Sequence, residues 1–133
     1  MGGPAVKYLW DTHAWIWAAN NDAQLSRRAR QLLRNSEPAE HAIADISLWE
    51  TAMLAGRGRV TLTAPIERWL DHALAHITVL PITKGIAVHS ASSTWAHHDP
   101  ADRLIVATAL EHGLTLVTKD TAIARWGGVK TVW

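Results

Sequence analysis

Residues 8–17 read YLWDTHAWIW, and the way this stretch divides decides the fold. Val6 to Trp10 is a short run of apolar and aromatic residues that predicts a β-strand, and His13 to about Asn20 has the spacing of an amphipathic helix. Asp11 stands between them. A carboxylate between two segments that both seek burial is either the cap of the following helix or part of a site. The rest of the chain decides between these readings.

Downstream, the same strand-then-helix unit recurs. A helix follows Ser26, with Leu25, Ala29, Leu32 and Leu33 on one face and Arg27, Arg30 and Arg34 on the other. AIADI at 42–46 predicts a second strand, after which Ser47 caps a helix that GRGR at 56–59 ends. Pro65 opens a helix to about Ala75, ITVLPI at 77–82 predicts a third strand, and KGIAVHSAS at 84–92 a short helix. Asp99-Pro100 starts a long helix to His112 that Gly113 stops. LTLVT at 114–118 is a fourth strand, Asp120 to Trp126 a last helix, and VKTVW at 129–133 a closing strand. Neither repeats nor linkers interrupt this order, so residues 1–133 read as a single domain. Strands separated by helices, with nearly continuous Val, Ile and Leu runs, imply an α/β/α sandwich with a mainly parallel five-stranded sheet.

In such a sheet every strand-to-helix junction lies on the carboxyl-end edge, where ligands bind. Asp11 ends the first strand, Glu50 lies in the first turn after the second, Asp102 in the first turn of the long helix, and Asp120 after the fourth strand. All four can face one crevice. Each also has a structural explanation: Ser47-x-x-Glu50 fits a capping box, Asp99 fits an N-cap with Asp102 at the third helical position, and Asp11 or Asp120 can cap the next helix. Gathered to about 5 Å, however, an ionised pair repels by roughly 3 kcal/mol at an effective dielectric near 20, more than the roughly 1 kcal/mol a cap returns. A positive group must then sit among them. Arg103 and Lys119 are near in sequence, while several oxygen ligands around a small crevice also suit Mg²⁺ or Mn²⁺.

Composition narrows the classes. With 48% hydrophobic residues in 133 and a formal net charge of +1, the chain supports a sizeable core and shows no overall demand for a polyanionic partner. The absence of cysteine excludes disulfides and thiolate zinc sites and suits a reducing cytosol. No apolar run reaches the roughly 18 residues of a membrane span, so the expectation is a cytoplasmic protein without membrane attachment. Glycine-rich phosphate loops are absent. His97-His98-Asp99 offers no third histidine at helical spacing, so zinc is not expected there. With no phenylalanine present, Trp10, Trp15, Trp17, Trp49, Trp69 and Trp126 are expected to supply the core's aromatic packing.

LWDTHAWIW, ISLWETAM, GRGRVTL, HHDPADRLIVATALEHG and LVTKD, in this order, resemble the PIN-domain ribonucleases of the VapC toxin type over nearly the whole chain. The resemblance places the family's acidic site on Asp11, Glu50, Asp102 and Asp120, with Asp99 as an additional acid and Thr12 as the small hydroxyl residue that follows the first acid. Leu54 departs from the pattern, since many relatives carry lysine there. The resemblance implies one or two Mg²⁺ or Mn²⁺ ions and hydrolysis of RNA, with cations such as Arg103 and Lys119 holding the backbone. It also implies a cognate antitoxin and a homodimer. The helix-two arginines read chiefly as a solvated face, and Arg57 and Arg59 fall at the far end of the Glu50 helix, away from direct substrate contact. His13 alone among the histidines adjoins an expected ligand. Two other classes compete: a catalytically silent α/β interaction module, and an aspartyl-phosphate phosphotransferase, disfavoured because His13 stands where a second aspartate is usual.

Overall fold

A computed structural model describes residues 5–92, 95 and 99–133. Its centre is one five-stranded, wholly parallel sheet in the order β3-β2-β1-β4-β5. The strands are β1 (Tyr8–Trp10), β2 (His41–Ala44), β3 (Thr78–Leu80), β4 (Thr115–Val117) and β5 (Thr131–Val132), and the helices are α1 (Thr12–Ala19), α2 (Arg27–Arg34), α3 (Ile46–Gly56), α4 (Ile66–Ala73), α5 (Lys84–Ser92), α6 (Pro100–His112) and α7 (Thr121–Trp126). A 3₁₀ turn, Pro38–Glu40, leads into β2.

The parallel register puts Leu9, Ala42 and Leu116 in one row and Trp10, Ile43 and Val117 in the next. Because successive side chains point to opposite faces, the first row joins a core with Ile105, Val106 and Ala109 of α6 and Ile123 of α7. The second joins Trp15 and Ile16 of α1, Ala29 of α2, Leu54 of α3 and Trp69 of α4. These two apolar layers explain why the strands read as unbroken hydrophobic runs. Trp15 and Trp69 meet edge to face at 5.2 Å, a favoured aromatic geometry.

The chain runs outward from β1 through β2 to β3, then resumes on the other side of β1 with β4 and β5. The order therefore reverses between β1 and β4, and that switch point opens the crevice in which doubly wound sheets bind ligands. Asp11 lies in it: its N–H donates to the Val117 carbonyl at 3.1 Å, extending the ladder one residue past β1.

Several boundaries differ from the sequence expectation. Ile46 belongs to α3, not β2, and Ser47 is inside the helix rather than its cap. The N-cap position is Asp45, whose side chain makes no capping bond; one of its oxygens instead accepts from the Ile82 N–H at 3.1 Å, tying the chain after β3 to the end of β2. Among the tryptophans, Trp10, Trp15 and Trp69 are buried, but Trp49 is 59% exposed and Trp126 37%. The inward stripe of α3 is Ser47, Glu50, Thr51 and Leu54, and Trp49 lies one 100° helical step away from Glu50, on the outer face. The expected boundaries of α5 and α6 agree with the structure, and Gly113 ends α6 at φ 65°, where a left-handed residue closes the last turn. His97 and His98 lie outside the described residues. No described helix is long and apolar enough to cross a membrane.

Candidate active site

Asp11 does more than cap a helix, because its two oxygens do different work. Oδ1 accepts from the Ala14 N–H at 2.9 Å and so caps α1. Oδ2 accepts from the Thr118 hydroxyl at 2.5 Å, across the β1–β4 switch point. Despite these bonds, burial and the Asp102 charge leave its carboxyl pKa pushed up to about 6, burial being the larger cause.

Glu50 reaches the same space from α3. It is buried, and desolvation, followed by the charges of Asp102 and Asp99, raises its pKa, while the nearby Thr12 hydroxyl opposes the shift. The Thr12 hydroxyl is positioned by Ser47, 2.9 Å away. The capping-box reading of Ser47 and Glu50 therefore fails: with Ser47 already one residue into the helix, both side chains turn toward α1 and the crevice. Asp102 belongs to the first turn of α6, whose N-cap is Asp99; the Asp99 carboxylate accepts from the Asp102 N–H at 3.1 Å. Asp99 is thus a cap whose charge also reaches Glu50.

Asp120 stands differently. Its Oδ1 accepts from Ala122 and Ile123 N–H groups at 2.8 and 3.2 Å, capping α7, and its link to Asp11 runs through Thr118, whose hydroxyl accepts from the Asp120 N–H at 3.0 Å. The structure accordingly couples Asp11, Glu50, Asp102 and Asp99 through their charges and joins Asp120 to Asp11 through the Thr118 hydroxyl. Thr118 and Ser47 escaped the sequence reading. A hydroxyl residue two positions before Asp120 was a faint signal for Thr118; nothing local marked Ser47 as other than a cap.

The surrounding cations also separate. Arg103 donates from Nε to the Ser90 carbonyl and from Nη1 to the Trp95 carbonyl, both at 2.8 Å, so its guanidinium ties α5 to the start of α6. Those two bonds commit Nε and Nη1 to backbone carbonyls. Lys119 is exposed and lies over the Trp17 ring, 5.6 Å from its centroid. His13 is exposed, and its charge favours ionisation of both Asp11 and Glu50. Leu54 is buried in the core one helical turn beyond Glu50 and adds no charge.

Lys7 pairs with Glu40 at 2.9 Å, a contact that involves none of these acids. Carboxylate oxygens with raised affinity for protons are the donor chemistry a hard divalent cation favours. Among the described residues, though, no three acid or imidazole side chains stand close enough to ligate one ion. The donor types fit Mg²⁺ or Mn²⁺, while the arrangement is a shared field of negative charge and not a closed cage.

A parallel α/β sheet with acids at its switch point defines a class of proteins that act on ligands at the carboxyl edge. The PIN domain family profile matches residues 8–129. Ribonuclease VapC22 of Mycobacterium tuberculosis is 38% identical over 128 residues, covering 94% of this chain and 97% of that protein. The chain belongs to the PIN domain family, in its VapC branch. The same fold occurs in the DNA-bound VapBC of Salmonella typhimurium (TM-score 0.70, 20% identity, 96% of this chain and 97% of that one). It also occurs in VapBC2 of Rickettsia felis bound to promoter DNA (0.69, 18%, 96% and 99%) and in a toxin-antitoxin complex of Klebsiella pneumoniae (0.67, 24%, 96% and 97%).

Proposed function

We propose that this protein is a metal-dependent endoribonuclease and the toxin of a toxin-antitoxin pair, with Asp11, Glu50 and Asp102 as its principal acids. The observation that carries the reading is Asp11, a carboxylate whose pKa is raised to about 6 at the sheet's switch point while it keeps two hydrogen bonds. A residue serving only as a cap gains nothing from that burial. The 38% identity to a protein named as a ribonuclease supports the substrate class.

In this reading Asp11, Glu50, Asp102 and Asp120 would hold Mg²⁺ or Mn²⁺ jointly with water, which such ions retain, so that no single ion needs three of the carboxylates. When bound, the ion would offset the charge of the phosphodiester and make water a better nucleophile. The chain's own residues do the positioning. Thr118 holds Asp11 across the switch point, and Ser47 holds Thr12 beside Glu50. Lys119, exposed beside Asp120, would meet the substrate backbone. Both Asp11 oxygens are engaged in hydrogen bonds, which disfavours the aspartyl-phosphate alternative, in which one must attack phosphorus.

The solved relatives described as toxin-antitoxin complexes support a cognate antitoxin as partner. A homodimer and a cytoplasmic setting complete the proposal. The test is cleavage of single-stranded RNA by the purified protein with Mg²⁺ or Mn²⁺ against EDTA. Cleavage that requires the metal and disappears in Asp11→Asn with the fold intact is expected. Undiminished cleavage by the Asn variant would overturn the assignment.

A further inference from the structure

A groove of 430 Å³ runs beside α1; none of Asp11, Glu50, Asp102 and Asp120 lines it, and no part of the proposed chemistry uses it. Its near end is His13, the residue whose charge acts on both Asp11 and Glu50. Trp17, one turn further along α1, has its ring 5.8 Å from that of His13. The opposite wall comes from the chain after α3, including Arg59 and Thr61, and Gln24 lines the end beyond α1.

Asn20 anchors the two walls: its amide donates to the Thr61 carbonyl at 3.1 Å and accepts from the Trp69 indole at 2.7 Å. By contrast, the Gln24 amide and the Arg59 guanidinium have no hydrogen bond or ion pair to any described residue. The negative group in the groove is Asp22, which accepts from the Gln24 N–H at 2.9 Å.

We propose that this groove seats one nucleotide of the single-stranded RNA next to the scissile phosphate, with its base against Trp17 and the edge of Gln24 and its phosphate facing Arg59. The proposal rests on the ribonuclease reading. Aromatic rings bind bases of any sequence through their faces, an unpaired amide offers both donor and acceptor to a base edge, and guanidinium suits phosphate. Lys119, over the same indole, adds positive charge where the strand would turn toward the acids. A docked peptide would want an apolar groove, whereas Ile16 is almost wholly buried and the lining is chiefly polar. Arg59 thereby acquires a role that its place beyond the end of α3 concealed in the sequence, because the chain after Gly58 doubles back beside α1.

The experiment measures decamers of single-stranded RNA in two ways: binding in EDTA by fluorescence anisotropy, and cleavage with Mn²⁺ for KM and kcat. Arg59→Ala/Gln24→Ala is expected to weaken binding about tenfold and to raise KM similarly. Lys130→Ala removes one charge at the opposite, amino-end edge of the sheet and controls for net charge. Ultraviolet crosslinking in EDTA should join RNA to the peptide that contains Trp17. Unchanged binding and KM in the double variant, loss equal to that of Lys130→Ala, or crosslinks confined to other segments would each overturn the proposal. So would a double variant that binds RNA normally but no longer binds antitoxin. If no form cleaves RNA, yet the double variant still loses RNA binding, the groove stands and the ribonuclease reading fails.

Discussion

Trp10 and Asp11 are neighbours in sequence, yet they belong to two opposite kinds of polar environment. The Trp10 indole donates to Nδ1 of buried His41 at 2.9 Å, and His41 Nε2 lies 2.7 Å from the Ser36 hydroxyl, which donates to the Leu32 carbonyl. Since Nδ1 is an acceptor, Nε2 carries the proton, and every group in the chain has a partner. Asp11 has partners too, but burial and the acids around it keep its charge unfavourable. A satisfied buried network stabilises the fold, whereas buried like charges lower its stability until a cation or proton arrives. The first is structural and the second is, in the proposed reading, functional, though one peptide bond separates them.

The largest expected contrast is in activity. Asp11→Asn should lower RNA cleavage by about three orders of magnitude, on the scale of losing a group that acts in the transition state. His41→Phe should leave the acids in place and reduce cleavage far less when assayed well below its melting temperature. Equal losses in single-turnover assays would break the distinction.

Stability should rank the same two variants in the reverse order. His41→Phe leaves the buried Trp10 N–H unpaired and should cost about 2–3 kcal/mol. Asp11→Asn keeps an oxygen for the α1 cap and removes the charge, so without metal at pH 7 it should gain about 1–3 kcal/mol, the order of a two-unit shift. Urea unfolding of both proteins in EDTA measures this; a destabilised Asn variant would mean that the cap outweighs the repulsion.

The pH dependence sharpens the comparison, because the two groups have opposite signs. Burial lowers the His41 pKa below 6.5, so the folded state binds fewer protons there and stability falls as pH drops through the unfolded value near 6.5. Asp11, raised from 3.8 to about 6, makes the folded state bind more protons, so its destabilising effect is relieved as pH falls from about 6 toward 3.8. Melting curves from pH 8 to 4 should lose an acid-side decline in His41→Phe and an acid-side relief in Asp11→Asn. Parallel curves for all three proteins would contradict both assignments.

The smallest effect concerns Thr118. Thr118→Val removes the donor to Asp11 Oδ2 and should raise the Asp11 pKa further, at a cost of about 1 kcal/mol in stability, with Thr118→Ser restoring both. Titration of the Asp11 carboxyl by NMR reads this directly; an unmoved pKa in the valine variant would remove Thr118 from the site.

Much of this was legible before the fold was known. Asp11, Asp99 and Asp120 appear in the sequence as residues at the start of helices, and all three are N-caps. Pro100 and Gly113 bracket α6, and the residue types that end helices do so for reasons within one turn of chain. Ser47 misled because a serine three residues before a glutamate looks like a capping box anywhere. Only the packing of α3 against α1 shows it bonded to Thr12, 35 residues away. Trp49 misled because tryptophan is usually buried; the phase of α3 is set by Glu50, Thr51 and Leu54 facing inward.

The sequence by itself determined the alternation of strands and helices, the caps of α1, α2, α6 and α7, and the placement of one acid at each of several strand-to-helix junctions. These depend on backbone bonds and side-chain spacing over three or four residues. Only the tertiary structure decided which acids share a field, that Thr118 links Asp120 to Asp11, that Arg103 ties α5 to α6, and that Arg59 returns beside Trp17. Those outcomes depend on strand order and register: Thr118 meets Asp11 across 107 residues because β4 pairs with β1, and no local pattern carries that pairing. Strand neighbours are chosen by the joint burial of both faces of the sheet, a property of all the elements together.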